Sequence, residues 1–95
     1  MIPSKEALIL ELLISKPERY GLELVTASRG RLKRGTVYVT LGRMEDKGFI
    51  TSRLEDAPEG AGGLPRRVYS PTSAGRSVFK AYAAVVKYLR PEFAR

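Results

Sequence analysis

Hydrophobic positions recur at helical spacing through the first part of this 95-residue chain, and they predict two helices before residue 30. The first is expected from about Lys5 to Ser15, with Ser4 as its N-cap. It is apolar on more than one side, so we expect it to be buried nearly all round. A turn at residues 15–19 should open a second helix from Tyr20 to about Ser28, with Gly30 as its stop.

A third helix is predicted from about Thr36 to Lys47, followed by Gly48 at its C′ position. Four apolar residues at helical spacing define its predicted buried face: Val37, Tyr38, Leu41 and Met44. The opposite side is mostly polar and basic, and it carries Arg34, Thr36, Val39, Thr40, Arg43 and Lys47.

The remaining segments predict a β-hairpin and a last helix. Phe49–Glu55 alternates imperfectly, as a short strand does, and Arg66–Ser70 is predicted as the returning strand. The loop between them, residues 56–65, is rich in glycine and proline. Thr72 is placed to cap a helix that runs to about Arg90.

This order of elements predicts an α+β, mainly α fold of the winged helix-turn-helix type, with three helices and a two-stranded wing. We expect residues 1–71 to form the winged domain. Residues 72–95 should add a C-terminal dimerisation helix to the same compact unit, because a chain this short closes one modest core.

The sequence contains neither cysteine nor histidine. Disulfides, thiolate metal sites, the commonest general base and any Ser-His-Asp triad are therefore excluded. The acidic residues are scattered and form no visible pair. We expect no catalytic residue, no metal site and no cofactor, and an enzyme is the least favoured of the functional alternatives.

The net charge of +7 points to a polyanionic partner, and the distribution of charge points to double-stranded DNA. Residues 29–43 contain five basic residues and no acidic one, whereas Glu45 and Asp46 lie in the last turn of the third helix. In a helix-turn-helix protein the N-terminal half of that helix enters the major groove. The alternative is a solvated basic face without a partner.

Base contacts are expected from the outer side of the third helix, at Thr36, Val39, Thr40 and Arg43. Among them Arg43 is the best candidate, since a guanidinium can bind guanine through two hydrogen bonds. Lys33 and Arg34 are better placed for phosphates. Tyr38 leaves two interpretations open: its spacing to Leu41 indicates the core, but its hydroxyl could reach a phosphate from the helix edge.

Arg66 and Arg67 flank the wing loop as a doublet. In a wing they are expected near the minor groove or the DNA backbone, where they add affinity more than specificity. Ordinary solvation of a strand end is the alternative. No Gly-Lys-Ser/Thr follows the loop glycines, so a nucleotide-binding loop is not expected.

A hydrophobic stripe along the last helix predicts a homodimer. Apolar residues recur there with a spacing of four, three and four, which is typical of a coiled-coil seam. Together with the first helix, the expected interface comprises Leu8, Leu12, Val78, Phe79, Tyr82, Val85, Val86 and Leu89. The alternative is that the stripe packs only on the first helix of its own chain.

No apolar run approaches the length of a membrane span, and the first six residues lack the basic start of a secretory signal. We therefore expect a cytoplasmic protein associated with the nucleoid and not with a membrane. A winged helix that binds protein instead of DNA is the alternative function. It predicts an exposed apolar patch on the third helix.

Three segments of the chain resemble the PadR family of bacterial and archaeal transcriptional regulators. They are YGLEL at residues 20–24, RGTVYVTLGRMEDKGFI at residues 34–50 and RVYSPTSAGR at residues 67–76. The last is similar to the family's Tyr-x-Leu-Thr-x-x-Gly signature. The resemblance implies a winged-helix dimer, usually a repressor that binds a palindromic operator, and it implies DNA contacts at Thr36 and Tyr38.

The chain departs from the family pattern at Val39, where proline is usual, and at Pro71, where leucine is usual. It also has a single C-terminal helix where many members carry a longer helical domain, so the sequence identifies no small-molecule effector. MarR-type regulators share the wing and the Thr-x-x-Gly cap and imply the same function.

Overall fold

The computed structural model describes residues 2–56, 60 and 63–89. Within them lie, in chain order, α1 (Ser4–Ser15), β1 (Arg19–Tyr20), α2 (Gly21–Ala27), α3 (Val37–Asp46), β2 (Ile50–Glu55), β3 (Arg66–Pro71) and α4 (Ser73–Leu89). The strands form one antiparallel sheet in the order β1-β3-β2. The predicted mainly helical α+β fold of winged type is confirmed.

α1 begins one residue earlier than the sequence pattern predicts. Ser4 is its first helical residue, while Pro3 occupies the N-cap position and accepts the Ala7 N–H at 3.0 Å. The prediction that Ser4 caps this helix is therefore wrong. Pro3 has an extended backbone, with φ −59° and ψ 149°, and no side chain donates or accepts a capping hydrogen bond at this end of the helix.

β1 is a strand that the sequence pattern did not predict, and it makes the sheet three-stranded instead of two-stranded. Residues 15–19 were expected to form only a turn, with Tyr20 opening the second helix. Tyr20 is instead the extended N-cap residue of α2, and its N–H donates to the Glu23 carboxylate at 2.8 Å. A strand of two residues is too short to show the alternation from which strands are predicted.

The core lies between the helices and the sheet, and it consists of Leu8, Ile9, Leu10, Leu13, Leu24, Leu32, Val37, Leu41, Met44, Ile50 and Tyr69. The connector before α3 takes part through Leu32. The hydroxyl of Ser28 accepts the Leu32 N–H at 2.9 Å and donates to the Val25 carbonyl at 2.7 Å. This pair of bonds fixes the path of the chain into α3.

α4 is held against the end of α3 by two small residues. Thr72 caps it as predicted: its hydroxyl accepts the Gly75 N–H at 3.0 Å and donates to the Gly48 carbonyl at 2.6 Å. Gly75 has no room for a side chain, because a Cβ there would overlap the carbonyl of Phe49. Across the described residues, no helix is long and apolar enough to span a membrane.

Candidate nucleic-acid interface

α3 presents a mostly polar outer face because three side chains fix its opposite side in the core. Val37, Leu41 and Met44 are buried, as their spacing predicts. Val39 is 56% exposed, and Arg43 is exposed as well. The structure brings three of the predicted base-contacting residues, Thr36, Val39 and Arg43, to this outer side. The fourth, Thr40, is half-buried at the border of the face, and its hydroxyl donates to the Thr36 carbonyl at 3.4 Å.

The basic connector leads directly into this face. Leu32 is buried, whereas Lys33 and Arg34 after it are exposed. The carbonyl of Lys33 accepts the Val37 N–H at 2.9 Å, so the connector is continuous with the first turn of α3. Within the part of the chain that the structure describes, Lys33, Arg34 and Arg43 form no ion pair. Their charges are available to an external anion.

Lys47 does not belong to the outer face, although its spacing placed it there. Its ammonium group lies 2.9 and 3.0 Å from the two carboxylate oxygens of Glu6 on α1. The Glu6 side chain is only 4% exposed, so Lys47 balances a nearly buried charge. At the C-cap of α3, Lys47 has turned toward α1, and its role is to join the two helices.

Tyr38 lies at the edge of α3 and outside the core, so its prediction as part of the buried face is wrong. It is 49% exposed, and its ring lies over Gly21 at the start of α2. The physical reason is angular: a helix turns by about 100° per residue, which takes Tyr38 away from the stripe that Val37 and Leu41 define. The half-exposed Tyr38 side chain is therefore accessible to a ligand at this edge.

Arg66 is engaged on one face of the wing. Its guanidinium lies 4.3 Å from the centre of the Tyr20 ring, and the Tyr20 hydroxyl donates to Glu55 at 2.6 Å. Arg53 donates to Glu18 at 2.6 Å and to Glu55 at 3.3 Å. The hydrogen bond between the Tyr20 hydroxyl and Glu55 raises the pKa of Tyr20 and lowers the pKa of Glu55. The hydrogen bond to Glu18 raises the pKa of Arg53.

Arg67 is held on the other face of the same strand, because successive side chains of a strand alternate. It donates to the Ser52 hydroxyl at 3.0 Å, and Ser52 donates to the Glu45 carboxylate of α3 at 2.8 Å. Burial raises the pKa of the neighbouring Tyr69, and Glu45 contributes to that shift. The predicted doublet is thus divided: Arg67 is linked to α3, and Arg66 is linked to β1 and β2.

The predicted dimer residues fall into two groups. Leu8 is 8% exposed and belongs to the core of its own chain, so little of it remains for a partner. The others keep accessible surface: Leu12, Val78, Phe79, Tyr82 and Val86 are half-buried, and Val85 and Leu89 are exposed. Of all residues in α4, only Gly75 is buried.

An apolar groove of about 730 Å³ runs beside this stripe. Val78, Ala81, Tyr82 and Val85 of α4 form one wall, with Phe49 opposite. The Phe79 and Tyr82 rings lie 6.4 Å apart, so aromatic surface continues along the helix. The arrangement leaves a long apolar strip that the chain does not cover within its described residues.

Sequence reasoning missed three residues that contact the candidate interface residues Tyr38 and Arg67, directly or through one hydroxyl: Gly21, Ser52 and Glu45. The alternation of β3 could have indicated that Arg66 and Arg67 point to opposite faces. Nothing in the local pattern could have indicated the partners they find there. No three side chains of the metal-binding types cluster within residues 2–56, 60 and 63–89.

Comparison with known proteins identifies the family. The model of the transcriptional regulator PadR-like family matches residues 9–81. A PadR family transcription regulator from Clostridium difficile is 30% identical, with a TM-score of 0.76 and 90% coverage of both chains. One from Eggerthella lenta is 27% identical, with a TM-score of 0.77 over 90% of this chain and 74% of that one.

Bacillus subtilis PadR, solved in complex with operator DNA, is 25% identical with a TM-score of 0.71. The match covers 83% of this chain and 46% of the Bacillus chain. No curated protein is significantly similar to the chain. By its family match and its fold, the chain belongs to the PadR-like family of transcriptional regulators.

Proposed function

We propose that this regulator binds double-stranded DNA in a sequence-specific manner, as a homodimer on a pseudo-palindromic operator, and that it acts as a repressor. The observation that carries the proposal is the outer face of α3, where the basic residues of the connector and helix have no internal ion partner among the described residues. The operator complex of the similar Bacillus subtilis PadR supports it. Such a regulator would work in the cytoplasm, at the nucleoid.

In this proposal the residues have separate roles. Lys33 and Arg34 neutralise phosphates at the start of α3, where the helix dipole also favours negative charge. Arg43 binds guanine from the outer face, and Thr36, Val39 and Thr40 contact base edges or a thymine methyl group. Tyr38 donates its hydroxyl to a phosphate. Arg66 and Arg67 bind the backbone beside the minor groove.

The dimer is supported by the surface of α4. The helix is 17 residues long, yet only Gly75 near its start is buried. Leu89 is 66% exposed in a stripe that also contains Val85. A second copy of α4 would cover this stripe, and two recognition helices would then meet half-sites about one helical turn apart.

The dimer is tested by sedimentation of Val85→Asp, which places a charge in the stripe. We expect this variant to sediment as a monomer at concentrations where the wild type is a dimer. Ala84→Asp is the matched control, because helical spacing places Ala84 outside the stripe. Equal masses for all three proteins would contradict a dimer through α4.

DNA binding is tested by selecting bound sequences from a random duplex pool at low and moderate salt. We expect a consensus with two inverted half-sites, and affinity that falls steeply with salt because each neutralised phosphate releases counterions. A consensus without symmetry would contradict the dimer. Failure to retain any duplex would favour the protein-binding alternative. That alternative needs an exposed apolar patch on α3, and Val39 is the only exposed aliphatic side chain on the described outer face of this helix.

A further inference from the structure

Gly21 and Tyr38 meet although they come from two separate motifs of the sequence. A Cβ atom built on Gly21 would lie 2.6 Å from Cε1, 2.8 Å from Cζ and 2.9 Å from the hydroxyl oxygen of Tyr38. All three atoms belong to the outer end of the ring. The ring therefore occupies the space that a side chain at residue 21 would need.

We infer that Gly21 is a positioning residue for DNA binding: by lacking a side chain, it determines where the Tyr38 ring and hydroxyl lie. The inference rests on the proposed function, in which Tyr38 donates to a phosphate. Gly21 itself is buried and contributes no group that could contact DNA other than its backbone.

The need for glycine at this position is steric and not conformational. Gly21 is the first residue of α2 and lies outside the positive-φ region, unlike Gly30 and Gly48. Alanine can therefore adopt the same backbone conformation, and it is the better helix former. What it would disturb is the Tyr38 ring.

Gly75 and Gly21 both lack room for a Cβ atom, but the atoms that crowd them differ. A Cβ at Gly75 would meet the backbone carbonyl of Phe49, which cannot move without shifting the chain. A Cβ at Gly21 would meet the far end of a side chain that is half exposed and can rotate. Substitution of Gly75 should therefore damage the fold, whereas substitution of Gly21 should displace Tyr38.

The required displacement is large enough to matter for binding. Carbon atoms in contact lie roughly 3.5–4.0 Å apart, so the ring must retreat by about 1 Å from an alanine. A hydrogen bond from a hydroxyl to an oxygen spans only about 2.5–3.0 Å, so such a shift removes it unless the DNA follows.

The place of the Tyr38 hydroxyl explains why the DNA would not simply follow. Tyr38 borders a groove of about 350 Å³ between α2, α3 and the wing. The start of β3 forms its wing side, where Arg66 and Arg67 both line it although their side chains leave the strand on opposite faces. Glu23 also lines it, but its carboxylate already accepts the Tyr20 N–H. A DNA backbone in this groove would be held by the wing arginines and would meet Tyr38 at a fixed distance.

The test is a double-mutant cycle with Gly21→Ala and Tyr38→Ala. The probes are the duplex recovered from the random pool and a random-sequence duplex of equal length. We expect each single variant to bind the selected duplex about tenfold more weakly, because each loses one hydrogen bond to a charged phosphate group. The double variant should bind no more weakly than Tyr38→Ala alone, since Gly21 acts only through the ring.

A purely structural role is separated by two further measurements. The unfolding temperature of Gly21→Ala should equal or exceed that of the wild type. In NMR spectra of the free protein, the Tyr38 ring resonances should shift in Gly21→Ala and keep their wild-type positions in Gly42→Ala, where an added Cβ meets nothing within 4 Å. Unshifted Tyr38 resonances in Gly21→Ala would overturn the inference.

The failures of the two proposals can be told apart. A wild-type chain that retained no duplex would overturn the proposed function and the positioning role with it. Wild-type binding together with full affinity of Gly21→Ala would overturn the positioning role alone. So would a loss in Gly21→Ala that persisted undiminished in the Tyr38→Ala background.

Discussion

The connector with α3 and the wing are both basic, but they hold their charges in different ways. Lys33, Arg34 and Arg43 have no ion partner among the described residues. In the wing, Arg53 pairs with two carboxylates and Arg67 donates to a hydroxyl that is itself bound to α3. The charges of the first region are left available to an external anion, and the second region uses part of its charge to fix its own geometry.

The difference shows that net charge describes a surface poorly. Lys47 is the C-cap residue of α3 and would count as a DNA-facing charge by position, yet it pairs with Glu6 of α1. Substitutions in the connector and outer α3 should change binding without changing stability. The hydrogen-bonded residues around the wing arginines, which we call the wing network, are Glu18, Tyr20, Ser52, Arg53 and Glu55. Substitutions at Lys47 or in the wing network should change stability or the placement of an arginine.

The largest expected effect is on the stability of Lys47→Ala, which leaves the Glu6 carboxylate without its partner. We expect the free energy of unfolding to fall by about 2–3 kcal/mol, less than for a fully buried pair because Lys47 is partly exposed. Urea denaturation measures this. Adding Glu6→Gln should restore part of the loss, since a neutral amide is less costly to bury than an unpaired charge.

Lys33→Ala is the control for this substitution, because Lys33 is exposed and has no ion partner among residues 2–56, 60 and 63–89. Its stability should stay within about 0.5 kcal/mol of the wild type. If Lys47→Ala kept full stability and instead reduced the salt dependence of DNA binding, Lys47 would belong to the DNA-facing set after all.

The next effect concerns specificity. Arg43→Ala should lose about 1–3 kcal/mol on the selected duplex and much less on a random duplex, because the lost contact is to a base. Arg34→Ala should weaken both duplexes alike and reduce the salt slope by about 0.9, because the lost contact is to a phosphate. Titrations of both duplexes at several salt concentrations distinguish these patterns. A wild-type specificity ratio in Arg43→Ala would show that Arg43 reads no base.

Removing the hydrogen bond between Arg67 and the Ser52 hydroxyl should have a smaller effect on DNA binding. Ser52→Ala removes the hydroxyl between Arg67 and Glu45, and it should cost roughly 0.5–1 kcal/mol of binding, the net value of one such hydrogen bond. In an Arg67→Ala background the same change should have no effect. Thr51→Ala is the matched control, since its side chain points to the other face of the sheet. Equal losses for Ser52→Ala in both backgrounds would show that Ser52 does not act through Arg67.

The elements that could be predicted from the sequence are those determined by neighbours along the chain. The buried side of α3, with Val37 and Leu41, follows from helical spacing. The Thr72 cap and the positive φ of Gly48 follow from residue type at a helix end. Each of these depends on a few adjacent residues, so local pattern was sufficient.

The features that escaped prediction depend on segments far apart in the sequence. The partner of Lys47 is Glu6, which lies 41 residues away, and no local rule joins them. Spacing within α3 left the place of Tyr38 open between the core and the helix edge, and it could not indicate that the ring packs over Gly21 of α2. Most residues of the outer face could therefore be predicted, but the exception of Lys47 and the arrangement of the rest required the packing of α1, α2 and the wing.

The smallest expected effect is the pH dependence of the wing network, which distinguishes its charges from the freely solvated ones of the connector. Glu55 has a lowered pKa, so its contribution to stability is present above its ordinary value of 4.5 and is lost as the pH falls below it. Tyr20 has a raised pKa, so its contribution is present below 10.0 and is lost as the pH rises above it.

Both contributions come chiefly from the hydrogen bond between the Tyr20 hydroxyl and Glu55, so Tyr20→Phe should remove them together. The stability difference between wild type and Tyr20→Phe should be greatest between these two pH values and should narrow on either side. Urea denaturation across the pH range measures it, with Tyr88→Phe on the exposed end of α4 as control. A difference that stayed constant at acid pH would show that Glu55 does not hold Tyr20, and the wing would then owe its placement to the packing of β1 alone.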